Sequence, residues 1–447
     1  MSEQELTLTD EAASKIKHSK KYIVFLVIIL GLAHVLDEYS SLAPGMFASS
    51  MINDFFIETG WFIVYEDALA FTNTLGMTAI FLMLFGFFYK GLMDKIGRKP
   101  IFIGAAIGMT VGVIIMAISQ NYWVYFLGST VMGFFILQDM QYQFINEETP
   151  SKWRAQAFSY AKIIGLGGLL LVPWIYDMNV DEVTSTVNWR PILYVPIIIG
   201  IIVIVASIFF LKETSAYRIM QESRKLSTND PDTPKEKINM KIAWQRMKKM
   251  PTWKQMKWLI ILATVMVPFA MLNQKYTDHF MEQAGVLVGD RSLIQLLSII
   301  SVGVAYVTHG IFTDKVGRKP AYAINAIVVV ILLPIEYFAM LNHNFWIAGI
   351  AQGLRIGAFW NITDVNRFMM VENTPTAIRG YAQSIAGLFM FVAIVPAIVI
   401  DIGLVPNVPF VHDALMMIGI PINIFIAIFV ILKLKETKDV DITKIEG

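Results

Sequence analysis

Ionisable side chains recur inside segments of this chain that are otherwise apolar, and they are the residues whose types and spacing could do chemistry. His34, Asp37, Glu38 and Ser41 fall at i, i+3, i+4 and i+7, one stripe of a helix. Asp37 lies about 22 Å along that helix at ~1.5 Å per residue, past the middle of a bilayer. Asp139 and Asp364 stand at matching places in two later segments, about 12 Å above the adjoining loops by the same rise. Lys162, Lys275 and Arg355 are cations at comparable depth. A charge in hydrocarbon is costly, so such groups face a partner, a water path or a solute. Burial raises the pKa of a carboxyl and a nearby cation lowers it; a carboxyl balanced this way can couple a proton to a conformational change. This is proton relay and solute binding, not bond making. There is no Cys, which removes thiolate catalysis, disulfides and Cys-based metal sites. No nucleophile constellation, metal-ligand set or Gly-rich phosphate loop is found. No catalytic residue, cofactor, metal or direct ATP drive is expected.

The elements that must hold these groups are membrane helices. Mean hydropathy is +0.58, 56% of the residues are hydrophobic and 16% are charged, against roughly 25% charged in soluble domains. Twelve apolar runs of spanning length lie near 22–50, 69–90, 100–119, 122–146, 155–176 and 190–212, then 257–280, 292–313, 320–341, 345–370, 380–401 and 412–433. Of 36 Lys and Arg, only Arg190 and Arg291 fall in the loops placed outside. Lys15, Lys17, Lys20 and Lys21 precede the first run, and Lys433, Lys435 and Lys438 follow the last. The positive-inside rule therefore puts both termini in the cytoplasm of a multi-pass protein of the plasma or inner membrane. A net charge of +1 gives no bulk attraction to nucleic acid.

The chain is duplicated. Asp94-Lys95-Ile96-Gly97-Arg98-Lys99-Pro100 returns as Asp314-Lys315-Val316-Gly317-Arg318-Lys319-Pro320, 220 residues on. Glu147-Glu148-Thr149-Pro150 with Arg154 returns as Glu372-Asn373-Thr374-Pro375 with Arg379, offset by 225. Leu211-Lys212-Glu213-Thr214 returns as Leu434-Lys435-Glu436-Thr437, offset by 223. Near-constant offsets in three loops mean two homologous halves, the way many secondary transporters are built. The expected organisation is a six-helix bundle over 1–212, a cytoplasmic linker over 213–256 and a second bundle over 257–447. In the linker, 237–257 reads as a basic amphipathic helix on the inner membrane surface, regulatory or passive. The outer loop 51–68 is longer than its counterpart after the seventh span and is placed to cap an outer vestibule.

These motifs resemble the major facilitator superfamily over nearly the whole chain. The Asp-Lys-x-Gly-Arg-Lys runs look like its signature loop, and the Glu-x6-Arg pairs and Glu-Thr ends are similar to sugar porters and their metabolite:proton relatives. The resemblance implies an all-α fold of twelve helices in two pseudo-symmetric bundles. It also implies a cytoplasmic latch of Asp94, Arg98, Glu147, Arg154, Glu213, Asp314, Arg318, Glu372, Arg379 and Glu436. Opposed Arg and Glu can make bidentate bonds that are weak when solvated, so such a network can break and re-form. One departure is Lys90, where the second copy has the usual Gly310.

Proton-using sugar porters resemble the first span, with Gly31 six residues before Asp37. The resemblance implies Asp37 as a proton site, although the fourth span lacks the usual basic partner; Glu38, Asp139 and Asp364 are the other candidates. Asp139 and Lys162 at similar height also fit a structural ion pair. Lys162 stands where sugar porters typically carry a sugar-binding Gln, and a Lys suits a carboxylate or phosphate. With Lys275 and Arg355 it suggests an anionic metabolite. Gln138, Asn273, Gln274, Trp360 and Asn361 are further candidate substrate contacts; Trp360 fits packing as well. Gly165-Leu166-Gly167-Gly168 reads as close helix packing. The expectation is a monomeric proton symporter of a small, anionic solute working by alternating access. The alternatives are a sugar or polyol transporter and a transporter-like nutrient sensor.

Overall fold

A computed structural model of the chain describes residues 19–83, 85–181, 187–227, 239–266, 281, 285–286, 288–393, 417–438 and 440. Among the described residues it is helical apart from an isolated bridge between Val180 and Val187. Two compact units are resolved. The first comprises Met1–Glu148 and Ala161–Glu236; the second comprises Thr149–Tyr160 and Lys237–Gly447.

The first unit contains α1 (Lys20–Met46), α2 (Tyr65–Met83), α3 (Arg98–Ala117), α4 (Tyr122–Phe134), α5 (Gln138–Glu148), most of α6 (Arg154–Asp177), α7 (Tyr194–Phe209) and α8 (Ser215–Ser227). Side-chain caps mark several starts by taking up otherwise unpaired amides. Ser19 accepts from the Tyr22 amide at 3.3 Å and Asn121 from the Val124 amide at 3.1 Å. The fourth apolar run, expected as one helix over 122–146, is instead split into α4 and α5 around Phe135–Leu137. Nothing in Phe135-Ile136-Leu137 demands a break. It is accommodated from α3 and from the short helix Phe85–Gly91: a Cβ at Gly108 would collide with the Phe135 ring, and one at Gly86 with the Phe134 carbonyl.

Residues 51–62 do not form an open loop. They fold as a short helix, Ala48–Ile52, and a π-turn, Asn53–Ile57. Phe47, Phe55 and Phe56 pack there against Tyr122, Tyr125 and Trp189 in one aromatic cluster. Asp54 pins it by accepting from Trp189 Nε1 at 2.8 Å and Arg190 Nη1 at 3.0 Å.

The second unit contains α9 (Met240–Lys249), a helix from 253 to the last residue described there, 266, then α10 (Val288–Val316), α11 (Arg318–Leu341), α12 (Phe345–Glu372), α13 (Arg379–Val392) and α14 (Gly419–Lys433). The amphipathic α9 departs from expectation. Its apolar face is covered by protein: Ala243 and Met247 are fully buried in the core of this unit, and Trp244 lies 5.9 Å from the Phe389 ring of α13. An amphipathic period reports a covered face, not what covers it. Six of the described helices are long and apolar enough to cross a bilayer: Lys20–Met46, Arg98–Ala117, Arg154–Asp177, Arg190–Phe209, Leu293–Val316 and Arg318–Leu341. At 28 residues, α12 has the length as well.

Candidate functional site

The repeated loops build the same device at one end of each unit. Gly97 and Gly317 have φ of 120° and 116°, a left-handed conformation that a side chain would strain. Each ends one helix and starts the next. The new helix presents its unpaired first amides to a carboxylate from the end of its own unit. Glu213 accepts from the Arg98 and Lys99 amides at 2.9 and 3.2 Å, and Glu436 from the Arg318 and Lys319 amides at 2.8 and 3.0 Å. A Cβ on Gly317 would lie 2.6 Å from the Glu436 carboxylate, so the glycine and the glutamate require each other. Burial pushes the Glu213 carboxyl above its ordinary pKa, against the pull of the Thr214, Arg98 and Lys99 amides.

The arginine of each motif turns inward. Arg98, fully buried, donates to Glu147 from Nε and Nη2 at 3.2 and 3.1 Å and pairs with Asp94 at 3.3 Å. Arg318 does the same with Glu372, at 3.2 Å from both nitrogens, and with Asp314 at 3.1 Å. Thr214 and Thr437 complete the pairs by donating their hydroxyls to Glu147 and Glu372. Charges buried this deeply are tolerated only when every one is paired. The second unit adds the start of α6: Arg154 donates to Glu372 at 2.8 Å, and Asp314 accepts from the Ala155 and Gln156 amides at 3.1 and 2.9 Å. Arg379 donates to the Thr374 carbonyl at 3.3 and 3.1 Å.

A second polar cluster lies within the apolar length of α1 and α6. Gly31 and Gly168 let the two helices touch: a Cβ on Gly31 would meet Ile164 at 2.7 Å, and one on Gly168 the Val35 carbonyl at 2.9 Å. Gly165 opens the space filled by the His34 imidazole, whose Cγ a Cβ would meet at 2.7 Å. His34 Nε2 lies 3.4 Å from Glu38 Oε1 one turn along, and Lys162 of α6 interacts electrostatically with Glu38. His34, Asp37 and Lys162 are all buried. Thus the structure brings Glu38 and Lys162 together, with Asp37 buried beside Glu38 on α1, and adds His34, which the helical stripe contained but to which no role attached.

In the second unit Arg355, a candidate substrate contact, pairs with Glu336. The fully buried Glu336 carboxylate accepts from Nη2 at 2.9 Å and also from Nε. Asp364 and Asn361 are buried on α12, the Asn361 amide donating to the Ala305 carbonyl at 3.3 Å. Trp360 is half-buried, its ring 5.4 Å from that of Phe359. Lys275, Asn273 and Gln274 lie outside the described residues, as do the side chains of Gln138 and Asp139. Gln141 of α5 is fully buried, and among the described residues neither of its amide atoms has a hydrogen-bond partner. A buried primary amide keeps its full capacity to donate and accept, which makes Gln141 a candidate polar contact.

The profile of the family described as "Sugar (and other) transporter" matches residues 26–446. The chain belongs to this family. Among similar proteins, the glucose transporter GlcP of Staphylococcus epidermidis is 25% identical over 390 residues, 79% of this chain and 83% of that one. The cis,cis-muconate transport protein of Acinetobacter baylyi is 25% identical over 195 residues, 44% of this chain and 45% of that protein; that match spans less than half of the relative. The structure of the proton:xylose symporter XylE bound to 6-bromo-6-deoxy-D-glucose superposes with a TM-score of 0.73 at 16% identity, covering 96% of this chain and 99% of that one. The fold is therefore the twelve-helix fold of the major facilitator superfamily. This sugar-transporter-family protein is a membrane transporter and not an enzyme.

Proposed function

We propose that the protein is a proton-coupled symporter of a small polyhydroxylated solute, of the sugar or polyol class, working by alternating access. The observation that carries the proton half is the α1–α6 contact, where the buried His34 and Lys162 flank the half-buried Glu38, with Asp37 buried on the same turn of α1. Such groups are retained in a membrane helix where they relay or bind. Lys162 takes the place of the arginine partner absent from the fourth span, as a cation against which a carboxyl can load and release a proton. In this reading Asp37 and Glu38 are the coupling acids, and Asp139 and Asp364 remain further candidates.

The solute class follows from how the cations are used. Arg355 is neutralised by Glu336, and Lys162 has an acid within electrostatic reach. The anionic-metabolite expectation thereby loses two of its three cations. Among the described residues neither amide atom of Gln141 has a partner, so it offers the donor and acceptor that complement a sugar hydroxyl; Gln138, Asn273, Gln274, Trp360 and Asn361 are further candidate contacts. The likeness to the glucose transporter and the xylose symporter supports this class. A dicarboxylate is the second reading, supported by the match to the muconate transport protein; Lys162 and Lys275 would then bind the solute.

The repeated loops act in this scheme as the cytoplasmic latch. Opening toward the cytoplasm breaks the Arg154–Glu372 pair and the Asp314 bonds to the start of α6. The pairs Arg98–Glu147 and Arg318–Glu372 persist meanwhile. Uptake of labelled hexoses, polyols and dicarboxylates into proteoliposomes, with and without an inward proton gradient, tests the whole. Gradient-stimulated uptake of a hexose or polyol, lost in Gln141→Leu, is expected. Gradient-stimulated uptake confined to dicarboxylates would overturn the solute class and leave the coupling intact.

A further inference from the structure

The end of α14 and the helix over 253–266 converge on one tryptophan. Lys257 and Lys433 both direct their ammonium groups at the Trp258 ring, 5.8 and 6.0 Å from its centroid. Both lysines are exposed, and among the described residues neither has a carboxylate partner. The two helices are tied there, since Gln255 Nε2 donates to the Lys435 carbonyl at 3.0 Å. Two like charges at one ring, without a carboxylate among the described residues to offset them, attract an anion from outside the protein.

An apolar track leads away from that pair of charges along α14. The Phe429 ring lies 5.2 Å from Trp258 and Phe425 lies 4.2 Å from Phe429. On the same 15-residue apolar helix Ile424, Ile428, Ile431 and Leu432 are exposed large hydrophobics. The ligand that matches is an amphiphile: an anionic head at the lysines and a hydrocarbon chain on the phenylalanine track. We propose that Lys257, Lys433 and Trp258, with Phe429 and Phe425, form a binding site for an anionic phospholipid. A free anion would use the two lysines and leave the track uncovered; a zwitterionic lipid would cover the track and leave the lysines uncompensated. Charge and apolar surface together select the anionic lipid, at the end of the molecule where basic residues concentrate.

Brominated lipids quench tryptophan by contact and read the site directly. The full-length protein is placed in phosphatidylcholine vesicles carrying a minor fraction of either phosphatidylglycerol or phosphatidylcholine, brominated near the head of its acyl chains. The contribution of Trp258 is the difference between the wild type and Trp258→Phe. Brominated phosphatidylglycerol should quench it more strongly, with a preference of about fivefold for each lysine, and added salt should weaken that preference. Lys257→Gln with Lys433→Gln should abolish the preference, and Lys257→Arg with Lys433→Arg should keep it, so that a folding defect is told apart from loss of the site. Equal quenching by the two lipids in the wild type would overturn the proposal. So would a preference that survives the double Gln variant.

Discussion

Glu336 of α11 grips Arg355 of α12 through both carboxylate oxygens, 19 residues apart across the turn that joins the two helices. Both side chains are buried, so neither charge has water to fall back on. Removing one partner breaks a buried, bidentate pair, which in protein interiors costs about 3–5 kcal/mol. Glu336→Gln should therefore lower unfolding stability in detergent by about that amount. Replacing the pair together, Glu336→Leu with Arg355→Met, should recover most of the loss. A single-variant loss under about 1 kcal/mol, the range of an exposed pair, would show that Arg355 has other company and return it to the substrate candidates.

The glycines of α6 give an internally controlled prediction. A methyl group at Gly165 collides with the His34 ring, whereas nothing lies within 4 Å of the Cβ position at Gly167. Gly165→Ala should destabilise the protein by about 1–3 kcal/mol through overpacking. Gly167→Ala should be neutral or stabilise by up to about 1 kcal/mol, the helix-propensity gain. Thermal unfolding of the two variants side by side decides it; equal effects would mean that α1 and α6 do not meet at His34.

What was legible in the sequence follows from the kind of signal each feature leaves. The loop motifs could be read because their charges stand at or near helix ends and recur at near-constant offsets. Their partners could be named in advance even though the carboxylate caps of Glu213 and Glu436 could not: an acceptor for a backbone amide leaves no mark on the residues it serves. Glu336 escaped notice as a lone acid in Leu332-Leu333-Pro334-Ile335-Glu336, whose partner sits beyond a turn. The clue was available, since two opposite charges flank Asn342-His343-Asn344 at depths a helical hairpin can bring level. The break between α4 and α5 left no such clue, because it depends on glycines in neighbouring elements. The apolar face of α9 was visible, but its pattern is the same for lipid and for protein.

The paired caps predict a symmetry. Glu213→Ala and Glu436→Ala each remove an acceptor from two helix-start amides, and each should cost about 0.5–2 kcal/mol as caps do. Hydrogen exchange gives the local readout: the amides of Arg98 and Lys99 should lose protection in the first variant and those of Arg318 and Lys319 in the second, with little cross-effect. Exchange that rises equally in both units would show that the carboxylates serve the whole molecule and not their own helix.

The α1–α6 cluster makes the prediction on which the proton-coupling reading stands. A carboxyl that drives transport must carry its proton on one side and release it on the other, so a side chain fixed in the uncharged form can complete the loaded half of the cycle only. Glu38→Gln and Asp37→Asn are such mimics. If Glu38 is the coupling acid, Glu38→Gln should still exchange labelled for unlabelled solute across the vesicle membrane. It should no longer accumulate solute against a gradient, the ratio settling at about one because no coupling free energy remains. His34→Asn removes the imidazole beside Glu38 and should move the pH dependence of uptake while exchange persists. Accumulation that survives in Glu38→Gln and fails in Asp37→Asn would transfer the role to Asp37, one residue away on the same buried turn. Accumulation intact in both would sink the α1 reading and direct attention to Asp364 on α12.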